Sequence, residues 1–285
     1  MKKMKKIFNK CFPDNSRTRE FKIRKIKNFF NNFCIEISKS RELQKRLNLN
    51  PKINLQLIKK LYNKYHIDLS KVRESQRKIY QNKDKIGLAV LTDDIEAEIT
   101  YLLIREFKPL NVVEISPSHG WSSMWILNAL KDNNRGKLFS FDLIDKSTKI
   151  IPKELSSNRW VFIQGDIKKN LSKLPKKIDY LFIDSDHSAR FCRWYIKNIF
   201  SLLKKNTPVS IHDILHFKDH CQFGEIRTIF SWLYKNRISY FSPSPFYKSS
   251  GNINSYEEIL LLKSKLRLDK LIHYHRCNSI IFFNY

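Results

Sequence analysis

The middle of the chain contains three short, strand-like runs that each end in an acidic residue. They occupy residues 111–114, 138–142 and 180–184, and they end in Glu114, Asp142 and Asp184. Helix-like stretches separate them, and this alternation predicts a parallel sheet with right-handed crossovers. Because the parallel strands of such a sheet all end at one crevice, their terminal acids converge there even when they are far apart in sequence. The sequence therefore predicts a single binding site at the carboxyl edge of the sheet.

The same alternation continues from residue 92 to the end of the chain. We expect helices over residues 92–107, 120–131, 146–155, 168–174, 189–203 and 225–235, and strands over residues 111–115, 137–143, 160–164, 178–184, 209–213 and 279–283. Thr92 is the expected cap of the first helix, and Pro109 ends it because proline cannot continue a helix. This order of elements predicts an α/β, doubly wound domain.

The first 90 residues are strongly basic and helical in pattern. They hold 25 Lys and Arg against 7 Asp and Glu, within a chain of net charge +27. Residues 17–33 form a basic amphipathic stretch whose aromatic face favours packing in a core, and residues 50–64 and 68–81 predict two further helices. Such an excess of positive charge can bind a nucleic acid, an anionic membrane or a phosphate-bearing substrate. It can also reflect only a lysine- and asparagine-rich composition. We predict a basic helical N-terminal region over 1–90 and the α/β domain over 91–285.

Composition excludes several classes of protein. No run approaches the ~18 to 20 apolar residues of a membrane span, and the basic start lacks the apolar run of a secretory signal. The five cysteines are scattered and form no C-x-x-C pair, which favours reduced thiols over disulfides or a zinc knuckle. These features predict a cytoplasmic protein.

Residues 113–123 read Val-Glu-Ile-Ser-Pro-Ser-His-Gly-Trp-Ser-Ser, an acidic strand end that leads into a glycine loop and a helix start. This run resembles the first motif of class I S-adenosylmethionine-dependent methyltransferases. Residues 183–188 and 211–213 most closely resemble the branch of macrolide sugar O-methyltransferases and cephalosporin-hydroxylase-like proteins. The resemblance covers about residues 92–285. It implies a Rossmann-like, mainly parallel seven-stranded sheet that binds S-adenosylmethionine.

The resemblance implies a cofactor site on successive strand ends. Asp142 would bind the ribose, because one carboxylate can accept from two vicinal hydroxyls. Asp166 would accept from the adenine amine. Gly120 permits close backbone approach, and the helix that follows it offers free N–H groups to the cofactor's carboxylate. The full predicted cofactor set is Glu114, Ser116, Gly120, Ser122, Asp142, Asp166 and Ile167.

The resemblance places the chemistry at the fourth and fifth strand ends. His187 would be the general base that takes the proton of an attacking hydroxyl. Asp184, His212 and Asp213 would hold a divalent ion, Mg²⁺ or Mn²⁺. The resembled enzymes have an acid where this chain has His212, and imidazole suits Mn²⁺ better than Mg²⁺. The resemblance implies that the acceptor is a sugar or another polyhydroxylated small molecule. The charge of the N-terminal region adds a nucleotide-linked sugar as a candidate, because basic side chains could bind its diphosphate.

Two other functions remain open at this level. The charge motivates RNA methylation, although the chain lacks an N-P-P-Y-type motif and has no lysine at 209–215. The second alternative is a basic binding protein that keeps the methyltransferase fold without its activity. It is motivated by Ser116, where the resembled family usually has glycine, and by His212, where it has an acid. A homo-oligomer is compatible with each of these readings.

Two segments near the C-terminus carry weaker signals. His212, His216 and His220 recur every fourth residue beside Cys221, a spacing that suits zinc on a helix, but His212 is predicted to end a strand. We therefore interpret this run as a solvated or substrate-facing loop. Residues 242–254 form a proline-containing loop that either covers the acceptor or only connects two elements.

Overall fold

The computed structural model describes residues 51–214, 224–243, 264 and 280–285. The predicted helix over residues 17–33, the His216 and His220 run and residues 244–254 of the predicted covering loop lie outside the described residues. No helix in the described part of the chain combines the length and the apolar character needed to cross a bilayer.

The described residues form one seven-stranded sheet in the order β3-β2-β1-β4-β5-β7-β6. Its strands are β1 Asn111–Ile115, β2 Lys137–Asp142, β3 Trp160–Gln164, β4 Tyr180–Ile183, β5 Pro208–Ile211, β6 Tyr240–Phe241 and β7 Ile281–Asn284. The first five strands are parallel, and β7 runs antiparallel to both β5 and β6. The predicted α/β, Rossmann-like, doubly wound, mainly parallel sheet is confirmed.

Helices cover both faces of this sheet. They are α1 Pro51–Gln81, α2 Lys83–Ile86, α3 Asp94–Phe107, α4 Trp121–Asp132, α5 Lys153–Ser156, α6 Ala189–Asn198 and α7 Glu225–Lys235. Strand side chains alternate between two apolar clusters, so Tyr180 and Phe182 pack with α1, α3 and α4 while Leu181 and Ile183 pack with α6 and α7. Burial on both faces is the reason that β1, β4 and β5 consist mainly of apolar residues, with Glu114 and Ser210 as buried polar exceptions.

Helix α1 packs on the sheet's own helices. It is two helical stretches joined at Tyr65, whose backbone leaves the helical region at φ −112° and ψ 17°, close to the predicted break between residues 64 and 68. Arg73 donates to both carboxylate oxygens of Glu98 on α3 at 2.6 and 2.7 Å, and Tyr62 donates to Glu98 at 2.8 Å. These contacts satisfy a fully buried carboxylate. The proposed division of the chain at residue 90 stays a prediction.

The N-terminus of α3 differs from the prediction by one residue. Asp93, not Thr92, is the cap, because its side chain accepts from the backbone N–H of Ile95 while the Glu96 side chain accepts from the backbone N–H of Asp93. This reciprocal pair is a capping box. It brings the Glu96 carboxylate into the interior at the carboxyl edge of the sheet.

Three predicted helices differ from the structure. Only Lys153–Ser156 is helical within residues 146–155, because Asp145 accepts from the backbone and the hydroxyl of Thr148 and so favours a turn, and Pro152 cannot sit inside a helix. Within residues 168–174 the chain forms the 3₁₀ turns Ile167–Lys169 and Leu171–Lys173. The predicted helix over 189–203 ends as α6 at Asn198 and is followed by the 3₁₀ turn Phe200–Leu202.

Candidate active site at the carboxyl edge of the sheet

Strand register places four of the predicted site residues in one row. Phe141, Ile115, Ile183 and Ile211 are paired in one register row across β2, β1, β4 and β5, in that order. The residues that follow them are Asp142, Ser116, Asp184 and His212. Neighbouring strands lie about 4.8 Å apart, so the polar residues from Asp142 to His212 line one continuous edge.

The loop after β1 is built from unusual backbone conformations. Ser116, Ser118 and Gly120 all have positive φ, at 65°, 50° and 88°. Gly120 is required there, because a Cβ atom at this position would lie 2.8 Å from the side chain of Ile151. Ser116 adopts a conformation that glycine reaches freely and that costs other residues about 1–2 kcal/mol, which is the physical reason that glycine would suit this position.

Asp142 fixes this loop from the end of β2. Its carboxylate accepts from the backbone N–H of Ser118 at 3.0 Å, and its carbonyl accepts from the N–H of Gly165 at 2.7 Å. The side chain is only partly buried, so the carboxylate keeps acceptor capacity toward the crevice. Asp142 therefore joins the loops after β1, β2 and β3 at one place.

Asp166 and Ile167 form the turn after β3. The Asp166 carboxylate accepts from the backbone N–H of Lys168 at 2.9 Å and caps the turn Ile167–Lys169. Ile167 is 5% exposed and packs in the apolar cluster of the α6 and α7 face. The described contacts give Asp166 a capping role, and its contact with adenine stays a prediction.

Glu114 is completely buried beneath the loop. Its carboxylate accepts from the hydroxyls of Ser122, Ser123 and Ser140 at 2.7, 2.6 and 2.6 Å. Burial raises the pKa of Glu114, and the three hydroxyl donors oppose that rise. The carboxylate thus ties β1 and β2 to the first turn of α4. In the described contacts Glu114 and Ser122 support the loop after β1 from below, and a direct contact of either residue with a cofactor stays a prediction.

Asp184, His212 and Asp213 form a compact group of ion-binding side chains. One ligand atom from each lies within 4.8 Å of the others. Nδ1 of His212 is 3.3 Å from a carboxylate oxygen of Asp184 and 3.3 Å from one of Asp213. Neither contact has the geometry of a hydrogen bond, so this buried nitrogen has no hydrogen-bond partner among the residues that the structure describes.

The surroundings of His212 require positive charge. Burial opposes a charged imidazole, yet the carboxylates of Asp184, Glu96 and Asp213 raise the pKa of His212 well above its usual range. A neutral nitrogen lone pair facing two carboxylates is repelled, whereas a proton or a metal ion between them is attracted to all three groups. The residues therefore fit a divalent cation held by two oxygens and one nitrogen.

His187 stands beside this group and is held by a second carboxylate. Its Nδ1 lies 2.8 Å from Oε2 of Glu225, and its Nε2 lies 3.9 Å from Oδ2 of Asp213. The side chain of His187 is 45% exposed, whereas that of Glu225 is 3% exposed. The Glu225 hydrogen bond raises the pKa of His187 against the effect of burial. The arrangement orients the ring with Nε2 toward Asp213 and leaves the ring partly exposed.

The pairing of His187 with Glu225 is also fixed by the backbone. The N–H of Glu225 donates to the carbonyl of His187 at 2.9 Å. Gly224, just before α7, has φ 81°, and a Cβ atom there would lie 2.7 Å from the same carbonyl. Sequence reasoning missed Glu225 because it is 38 residues from His187 and reads as an ordinary helix start.

Replacing Gly224 by alanine is expected to reduce turnover strongly, because the new methyl group pushes the His187 carbonyl away and displaces the ring. Gly87→Ala is the matched control, since Gly87 has φ 69° but nothing within 4 Å of its Cβ position. Gly87→Ala carries the strain of a left-handed residue, about 1–2 kcal/mol, whereas Gly224, at φ 81° and ψ −138°, lies near a glycine-only region in which strain costs about 1–3 kcal/mol. Steady-state kinetics and thermal unfolding of the two variants separate strain from displacement. Equal loss of turnover in both would contradict the role given to Gly224.

Known proteins provide an independent comparison. Residues 113–214, from within β1 to just beyond β5, match the family model described as a methyltransferase domain. No curated protein matches the chain significantly in sequence. Among solved structures, a protein assigned as a caffeoyl-CoA O-methyltransferase from Staphylococcus aureus is similar with a TM-score of 0.52 and 15% identity, covering 79% of this chain and 99% of its own.

Two further solved structures are similar over a smaller part of the chain. The O-methyltransferase of Bacillus cereus in complex with S-adenosylhomocysteine has a TM-score of 0.48 and 15% identity, over 59% of this chain and 83% of its own. The Streptomyces achromogenes O-methyltransferase TomG in complex with S-adenosylmethionine has a TM-score of 0.46 and 18% identity, over 59% of this chain and 82% of its own. The family match and the strand order agree with the resemblance read from the sequence. Residues 113–214 match a methyltransferase domain, and the described sheet has the fold of class I methyltransferases.

Proposed function

We propose that this protein is an S-adenosylmethionine-dependent O-methyltransferase, assisted by a divalent metal, whose acceptor is a sugar or another polyhydroxylated small molecule. One observation carries the proposal. An accessible histidine nitrogen, oriented by a buried carboxylate, lies beside a group of ion-binding side chains at the same sheet edge as Asp142. Methylation of a hydroxyl requires a general base and a site that binds the hydroxyl, both next to the site that binds the methyl donor.

The protein's own residues have distinct tasks in this reaction. Bound S-adenosylmethionine supplies a methyl group on a positively charged sulfur. Asp142 and the loop it fixes orient the nucleoside, with the N-terminus of α4 offering N–H groups to its carboxylate. His187 Nε2 takes the hydroxyl proton as the acceptor oxygen bonds to the methyl carbon and the carbon–sulfur bond breaks. Glu225 stabilises the resulting imidazolium through Nδ1. S-adenosylhomocysteine and the methyl ether are the products.

Asp184, His212 and Asp213 would hold the metal. A divalent cation lowers the pKa of a hydroxyl that it binds and fixes its direction. A sugar or diol suits such a site better than an isolated hydroxyl, because two neighbouring hydroxyls can share the ion. The excess of lysine and arginine in residues 1–90 supports an acceptor that carries phosphate, such as a nucleotide-linked sugar. The proposal includes a cytoplasmic location and a small-molecule partner.

Methyl transfer from isotopically labelled S-adenosylmethionine tests this function. The full chain is incubated with free sugars, nucleotide-linked sugars or RNA, with a chelator or with added Mn²⁺. We expect label in a polyhydroxylated small molecule, loss of transfer with the chelator and recovery with Mn²⁺. Transfer to RNA alone would support nucleic-acid methylation instead, and transfer that the chelator leaves unchanged would contradict the metal.

The pH dependence of kcat/KM provides a prediction about Glu225. His187 must be neutral to accept a proton, so activity should rise with pH through the raised pKa of this histidine. Glu225→Gln removes the largest contribution that raises this pKa, and the rising limb should therefore move to lower pH while the plateau falls. Glu154→Gln, on the short helix α5 and outside the site, should leave the profile in place. An unshifted limb in Glu225→Gln would contradict the assignment of the base.

A further inference from the structure

Glu96 lies behind His212, on the side away from Asp184 and Asp213. Its side chain is fully buried. Oε2 of Glu96 lies 3.4 Å from Nε2 of His212, in hydrogen-bonding geometry. The same oxygen accepts from the backbone N–H of Asp93 at 3.0 Å, and Oε1 accepts from that of Ile280 at 3.0 Å. One carboxylate therefore joins the start of α3, the end of β5 and the residue before β7.

Helix capping alone does not account for this arrangement. The capping box uses only the bond between Glu96 and the backbone of Asp93. The contact with His212 determines which nitrogen of that ring faces the ion-binding group. A carboxylate that accepts from Nε2 keeps the proton of a neutral imidazole there, and the lone pair is then at Nδ1. Nδ1 is the nitrogen that lies 3.3 Å from Asp184 and from Asp213.

We infer that Glu96 is a positioning residue that makes His212 a nitrogen ligand through Nδ1 and so adapts the metal site to Mn²⁺ or a later transition ion rather than Mg²⁺. The inference rests on the proposed metal-assisted function. A carboxylate behind a histidine ligand fixes its tautomer and increases its basicity, and removing such a partner typically weakens metal binding by about 10- to 100-fold. The preference follows because Mg²⁺ favours an all-oxygen set, whereas Mn²⁺ accepts imidazole.

Direct metal binding tests this inference without an activity assay. The full chain is freed of metal with a chelator and titrated calorimetrically with Mn²⁺ and with Mg²⁺, and pulsed electron paramagnetic resonance then detects nitrogen bound to Mn²⁺. We expect Mn²⁺ to bind more tightly than Mg²⁺ and to show coupling to a nitrogen nucleus that is lost in His212→Ala. Glu96→Gln should weaken Mn²⁺ binding by about 10- to 100-fold.

Two comparisons separate positioning from general loss of structure. Glu98→Gln removes another buried carboxylate from the same helix, one that pairs with Arg73 and Tyr62, and it should lower stability without changing Mn²⁺ affinity. In the His212→Ala background, Glu96→Gln should have no further effect on affinity, because Glu96 acts through that ring. Glu96→Asp keeps the charge but moves the carboxylate away from His212, because aspartate is one methylene shorter. It replaces Glu96→Gln in these measurements if that variant does not fold.

The outcomes that overturn the inference are distinct from those that overturn the function. Mn²⁺ binding without nitrogen coupling in the unaltered protein, or unchanged affinity in the folded Glu96 variants, rejects the role of Glu96 and leaves metal assistance in place. Failure of the unaltered protein to bind either ion rejects metal assistance and this inference together. In that case methyl transfer through His187 is still tested by labelled S-adenosylmethionine.

Discussion

Replacing His187 by alanine is expected to lower kcat by about 10²- to 10⁴-fold, the range that a positioned general base contributes, while the affinity for S-adenosylmethionine stays unchanged. The reason is geometric. Nε2 of His187 is the accessible nitrogen that Glu225 orients toward the ion-binding group. The predicted cofactor residues lie elsewhere, at the ends of β1 and β2, in the loop after β1, at the start of α4 and in the turn after β3. Single-turnover kinetics and calorimetry on the same preparation measure the two quantities.

His66→Ala is the matched control for this substitution, because His66 is exposed on α1 and its ring makes a hydrogen bond with the backbone carbonyl of Asn63, far in sequence from the predicted site. It should leave both kcat and cofactor affinity unchanged. Full turnover in His187→Ala would contradict the assignment of the base. Loss of cofactor binding in that variant would show instead that the histidine supports the fold of the crevice.

Replacing Asp142 by alanine is expected to weaken S-adenosylmethionine binding by about 10- to 150-fold, since hydrogen bonds to a charged group contribute about 1.5–3 kcal/mol. The carboxylate stands at the end of β2 and already accepts from Ser118, which fixes the loop after β1. Its loss therefore removes both the ribose acceptor and a restraint on the loop. Calorimetric titration with S-adenosylmethionine gives the affinity directly.

Asp142→Asn separates these two effects, because the amide oxygen can still accept from the Ser118 N–H but carries no charge. We expect an affinity between those of the alanine variant and the unaltered protein. Asp145→Ala removes a nearby acid that is bonded to Thr148 and outside the predicted site, and it should bind normally. An alanine variant at position 142 with normal affinity would exclude this carboxylate as the ribose acceptor.

The sheet was predictable because its signals are local and strong. Apolar runs mark β1 to β5 and are buried on both faces in β1, β4 and β5. The acidic residues Glu114, Asp142 and Asp184 at three of the predicted strand ends identify the edge where the strands meet. Both bounds of β1 and α7 agree with the prediction. Gly120 and Asp142 were also predictable, because one lies in the loop after β1 and the other at the end of β2. In the structure Gly120 has a positive φ and no room for a side chain, and Asp142 accepts from the backbone of Ser118.

What sequence could not provide is the set of contacts between distant elements. Glu225 reaches His187 and Glu96 reaches His212 only because α7 and α3 pack beside the ends of β4 and β5, and neither separation has a sequence signature. Glu96 was readable only as a capping acid, which it also is. The continuous helix expected over residues 146–155 does not form, because Asp145 and Pro152 favour turns there.

Every role assigned above depends on a nucleoside bound at the ends of the parallel strands, and calorimetric titration of the full chain with S-adenosylmethionine measures that binding. We expect saturable binding of one cofactor per chain, with affinity that falls in Asp142→Ala and persists in His187→Ala. Absence of any binding heat, together with a flat response in a competition assay with S-adenosylhomocysteine, would contradict it.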